Sequence, residues 1–192
     1  KNSIPSTVIM GAKGSGKTFL YREILRNQYW EKFIMRMEQK GMNTGECNKE
    51  MHVVTVPLLA SGNAGGFPEI IENAVNNFNK YEMKGKLANS IYINSKDALL
   101  KYMRAEHDIL DWKEFWKHVI LQAFQNEYQS LEELEGELNH KCIMVVFLVD
   151  GLEEIFQHTI STKHETNAIA ALCRDVIDEV KVAYRNLGLI VF

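Results

Sequence analysis

Three cysteines and three prolines are all that the 192 residues contain, and neither residue type organises the chain. Cys47, Cys142 and Cys173 are odd in number and have neither close pairing nor metal-type spacing, so no disulfide scaffold is expected and a reducing cytoplasm fits best. No signal peptide is visible. The longest apolar run, Cys142 to Val149, falls far short of the roughly 20 residues a membrane-spanning helix needs, so no membrane role is expected. There is no excess of basic charge. With 22 Lys and Arg against 25 Asp and Glu, the formal net charge is −3, and the signs are interspersed. A nucleic-acid partner is therefore not supported by charge. Internal repeats, low-complexity tracts and interdomain linkers are also missing, so residues 1–192 read as one domain.

What is present alternates between strand-like and helical patterns. Ser6 to Met10 is a short β-rich run ending at Gly11, and from Thr18 the spacing turns helical through Leu20, Ile24 and Leu25. A second helix continues through Trp30, Phe33, Ile34 and Met37 and fades near Lys40. Met51 to Ala60 reads as a strand that Pro57 shortens or places at an edge. The glycine-rich Ser61 to Pro68 reads as a flexible surface loop before a helix over Glu69 to Asn79. Ser90 to Asn94 is expected as a small strand, Ser95 as the cap of a helix through Met103, and Asp108 or Asp111 as the start of a helix through Tyr128. The acidic stretch Leu131 to Leu138 leads into Cys142 to Val149, whose unbroken apolar composition suits a strand buried on both faces, ended by Asp150. A long helix carries Ala168, Leu172, Val176, Ile177, Val180 and Ala183, with Gly188 placed to end it and Leu189 to Phe192 opening another buried strand. Strands alternating with helices predict one α/β domain with a parallel sheet.

The most specific signal is Gly11 to Thr18, GAKGSGKT, an unbroken G-x-x-x-x-G-K-[ST] between a predicted strand and a predicted helix. Gly11, Gly14 and Gly16 permit the backbone turns and close approach that an anion cradle needs. The amides of Gly14, Ser15, Gly16, Lys17 and Thr18, at the positive end of the following helix, are expected to hold the α and β phosphates, with Ala12, Lys13 and Phe19 completing the binding segment. Lys17 supplies a charge for the β and γ oxygens, and Thr18 a hydroxyl for Mg²⁺. Such a loop needs a carboxylate at a neighbouring strand end to complete the Mg²⁺ site, and Asp150 stands in that position. The bland alternatives are a glycine turn with a solvated lysine and an Asp-Gly turn.

GAKGSGKT together with VVFLVDGLEE resembles the Walker A and Walker B motifs of the STAND and AAA+-related ATPases. In STAND proteins of the NACHT and related types a small residue follows the Walker B aspartate, and further acids come three and four positions later. Gly151, Glu153 and Glu154 fit that arrangement. The resemblance implies a three-layer P-loop NTPase fold with a mostly parallel central sheet flanked by helices. It also implies that the strand after the Walker B helix lies between the P-loop strand and the Walker B strand. Glu153 or Glu154 would polarise the attacking water; a first-turn helix role is the alternative for each. Glycine rather than glutamate directly follows Asp150, a departure from AAA+ that implies slow turnover without partners. By the same resemblance the sheet looks incomplete at the C-terminus, as in a fragment of a longer chain. The separation of Lys17 from Asp150 implies an insertion within 41–110.

The cofactors expected are ATP and Mg²⁺. ATP is preferred because no guanine-reading N-K-x-D is present: Asn94-Ser95-Lys96-Asp97 has the wrong order, and the stretch from Asp150 to Glu153 lacks the glycine of a D-x-x-G switch. Asn2 to Ser6 is a weak candidate for the adenine wall. The leading functional expectation is an ATP-driven switch or motor module acting on other domains of the same chain or on further copies. The alternatives are a nucleotide-binding scaffold or DNA-processing ATPase subunit with weak hydrolysis, and a small-molecule kinase. His158 and His164 lack a metal-type partner set. Trp112 and Trp116 match a packed helix face, and Arg174 and Arg185 are weak candidates for phosphate-reaching arginines.

Overall fold

The computed structural model describes residues 4–41, 52–61, 68–157 and 162–192, and of Thr162 and His164 the backbone alone. Four strands form one all-parallel sheet: β1 Thr7–Val8, β2 Val53–Leu59, β3 Met144–Val149 and β4 Leu187–Val191. Their spatial order is β1-β4-β3-β2, so β4 lies between the first strand and β3, the order the resemblance implied. Pairing runs from Val145 opposite Leu187 to Val149 opposite Val191, and β1 aligns Val8 with Val191.

Pro57 sits in the edge strand β2, as its missing N–H requires. The amide of Thr55 points away from β3 to the Gln28 carbonyl, 3.1 Å. Pro57, two residues on, shares that parity, so no ladder bond to β3 is lost; the register slips just after it, between Pro57 and Leu59.

Because β2, β3 and β4 are buried on both faces, alternate residues feed two cores. Met144, Val146 and Leu148 face one, with Tyr21, Ile24 and Leu25 of α1 (Lys17–Asn27), Phe33 of α2 (Trp30–Gln39) and Ile71 and Ala74 of α3 (Pro68–Asn79). Val145, Phe147 and Val149 face the larger one. That core takes residues from α4 (Ile91–Tyr102), α5 (Ile109–Gln122), α6 (Leu131–His140) and α7 (Leu152–Phe156). It also takes residues from the continuous helix made of α8 (Thr162–Ala170), a π-helical stretch Ala171–Val176 and α9 (Ile177–Ala183). Trp112 and Trp116 are buried there, the Trp116 indole donating to the Ala168 carbonyl at 2.9 Å, so the packing expectation for them holds.

Several sequence expectations are corrected. Ser90 to Asn94 is not a strand: α4 starts at Ile91, and Ser95 is buried inside the helix rather than capping it. Of the alternating apolar residues there Ile91 is buried and Ile93 is exposed, in a helix that packs against β2 and α5. Asp108 caps α5, accepting from Leu110 and Asp111 amides at 2.8 and 2.9 Å while Asp111 returns a bond to the Asp108 amide. The acidic stretch before β3 is the helix α6, capped by Ser130. Its acids tie down distant chain: Glu135 accepts from the Arg185 and Asn186 amides, and Glu137 from the Lys84 amide and the Tyr128 hydroxyl. Gly188 does not end the last helix, which stops at Ala183; it lies inside β4, where a Cβ would run into Ile4 and the Pro5 carbonyl. The Ser61 to Pro68 loop lies outside the described residues beyond Ser61 and before Pro68. Among the described residues no helix is long and apolar enough to cross a membrane.

Candidate functional site

All four strands point their carboxyl ends the same way, and the segments leaving them meet at one end of the sheet. A cavity of about 360 Å³ opens there, lined by residues 12–19, Ser61, Asp150, Gly151, Glu153, Glu154, Gln157 and Phe192. Open parallel sheets bind ligands at this end because loops, helix N-termini and unpaired strand ends converge on it.

The loop after β1 is shaped by backbone alone. Gly14 and Gly16 have φ of 84° and 92°, and added Cβ atoms would meet nothing within 4 Å, so it is the left-handed conformation that favours glycine. Gly11 differs, because a Cβ there would collide with the Ser15 side chain. Gly16 is the N-cap of α1, which has no side-chain cap and no acid in its first turn. No residue of α1 itself offsets the positive end of this eleven-residue helix. One expected cradle amide is already engaged: Ser15 donates to the Ala12 carbonyl at 3.0 Å, closing the loop on itself.

Lys17 folds back over this loop. Its Nζ donates to the Gly11 carbonyl at 2.6 Å and lies 3.3 Å from Glu153 Oε1. A loop residue and an acid 136 positions away therefore share one ammonium group. Glu153 and Glu154 both fall in the first turn of α7, whose N-cap is Gly151 with φ 88°. Gly151 has no freedom to be anything larger, since a Cβ would strike the backbone of Ser61.

Asp150 occupies the end of β3, 3% exposed, its amide held by the Leu59 carbonyl at 3.0 Å. Burial raises its pKa; the Thr18 side chain, the Gly151 backbone and Ser61 pull it down, and the charge of Glu154 pushes it up. Asp150 Oδ2 and Ser61 Oγ are nevertheless buried without a hydrogen-bond partner, so Ser61 is close enough to ease the carboxylate but does not bond it. A buried, partly unsatisfied carboxylate beside a threonine hydroxyl suits a small hard cation that takes few protein oxygens and completes its shell with phosphate and water. Among the described residues no group of three or more His, Cys, Asp or Glu forms an all-protein metal cage.

Of the residues singled out from the sequence, Ala12, Lys13, Gly14, Ser15, Gly16, Lys17, Thr18, Phe19, Asp150, Glu153 and Glu154 all line this cavity, and Gly11 bonds Lys17 at its rim. Arg174 does not line it; it is exposed and bonded to Asp175 at 2.7 Å. Arg185 is also absent from the lining. Cys47, His158 and Asn2 lie outside the described residues. Sequence reading missed Ser61, hidden in a stretch dominated by glycine-loop composition, together with Gln157 and Phe192. Compared with protein-family models, curated proteins and solved structures, the chain matches none.

Proposed function

We propose that this chain binds ATP with Mg²⁺ and hydrolyses it slowly, as the switch or motor module of a larger STAND- or AAA+-like assembly. The observation that carries the reading is the shared Lys17: one ammonium group bonded to both the glycine loop and Glu153, in a cavity that the buried Asp150 also lines. Both acceptors of Lys17 are oxygens that a terminal phosphate can replace. The first-turn amides of α1 would then hold the inner phosphates, where helix dipole and unpaired N–H groups reinforce each other.

Thr18 and Asp150 would hold Mg²⁺, which would supply charge neutralisation at the phosphates. A bound cation would favour the ionised form of Asp150 against the burial that raises its pKa. Glu153 and Glu154 are the candidates to orient the attacking water, Glu153 from its place on Lys17 and Glu154 from its electrostatic reach to Asp150. Phe19, 65% exposed at the cavity edge, offers a ring for the base.

Phosphate release from ATP and GTP, measured on the parent and on the Glu153→Gln/Glu154→Gln double variant, tests this. ATP should turn over, and the double variant should lose about a hundredfold in rate with nucleotide affinity kept. Parental turnover in the double variant would remove both glutamates from the chemistry.

A further inference from the structure

One buried polar atom of α1 is not explained by packing alone. Tyr21 is fully buried in α1, its ring edge-on to Phe192 with centroids 5.7 Å apart, and its hydroxyl has no hydrogen-bond partner. Phe192 in turn bonds the Val149 carbonyl at 2.9 Å, just before Asp150. Tyr21 also follows Thr18 by one helical turn, so the two side chains share a face of α1. A phenylalanine would fill this space without stranding a hydroxyl, whose burial unpaired is unfavourable. Asp150 Oδ2 is the complementary orphan, an acceptor without a donor.

We propose that Tyr21 is a positioning residue for Asp150, its hydroxyl donating to the carboxylate once that carboxylate is engaged by a divalent cation. The inference rests on the Mg²⁺-nucleotide reading above. Burial, and then the charge of Asp150, raise the pKa of Tyr21. In the nucleotide-free protein the hydroxyl is a cost; in the loaded protein it fixes the carboxylate. The two states should therefore respond to its removal with opposite signs.

The test uses Tyr21→Phe and reads the ratio of ATP affinity with Mg²⁺ to affinity with the cation chelated, together with the melting temperature of the nucleotide-free protein. Tyr21→Phe should melt no lower than the parent, bind ATP equally in chelator, and lose roughly five- to tenfold of the Mg²⁺ enhancement. Retention of the parental enhancement overturns the proposal, and so does a lower melting temperature, because the hydroxyl would then have a partner in the free protein. A parent without Mg²⁺-dependent ATP binding fails at the earlier step, taking the functional reading down and this inference with it.

Discussion

The two halves of the candidate site are built on opposite principles. The glycine loop before α1 is exposed and touches little, and its form resides in the dihedral angles of Gly14 and Gly16. The Asp150–Gly151 junction is buried, and its form comes from packing: Gly151 against the Ser61 backbone, Asp150 on the Leu59 carbonyl. An exposed loop of this kind is encoded locally. A buried strand end is encoded by residues far away in sequence, so its environment emerges only when the sheet assembles.

Predictions can be ordered by how hard they press on that contrast. The largest effect is expected from Gly151→Ala, which adds a Cβ into the Ser61 backbone at a left-handed φ; a loss of about 3 kcal/mol or more should appear in denaturant unfolding. The paired change Gly14→Ala has open space around it and should cost only about 1 kcal/mol, through its φ of 84° alone. Equal losses at the two glycines would erase the distinction between the halves.

A smaller effect, with reversed sign, is expected from Asp150→Asn. The folded-state pKa of Asp150 is raised, chiefly by burial, so ionisation above that pKa works against the fold, whereas below the ordinary carboxylate value the penalty is absent. Asp150→Asn should raise the stability of the nucleotide-free protein at neutral pH by about 1 kcal/mol, roughly 3 °C in Tm. The gain should shrink as pH falls through the folded pKa. A loss of stability at neutral pH would mean that the carboxylate is satisfied in the free protein.

The same contrast explains what could be read in advance. The glycine loop, Lys17, Thr18 and the position of Asp150 were legible because each rests on local residue type and spacing. Edge placement of β2 was legible because Pro57 lacks a donor, and the β1-β4-β3-β2 order matched what the resemblance implied. The start of α4 was misread because Ile91 and Ile93 suit a strand as well as a helix, and only contact with β2 decides between them. Gly188 was read as a helix stop because its true constraint, close approach of Ile4 and Pro5, comes from the other end of the chain. Ser61 carries no local pattern at all, and its relation to Asp150 is purely tertiary.

Calorimetric titration of the parent and Lys17→Ala with ATP, with and without Mg²⁺, addresses the central claim most directly. One site per chain is predicted for the parent, tighter with Mg²⁺. In Lys17→Ala affinity should be weakened at least about a hundredfold, with folding intact because the ammonium group lies at the cavity rim. Equal affinity in the two proteins, or no heat from either with any nucleoside triphosphate, would contradict the account.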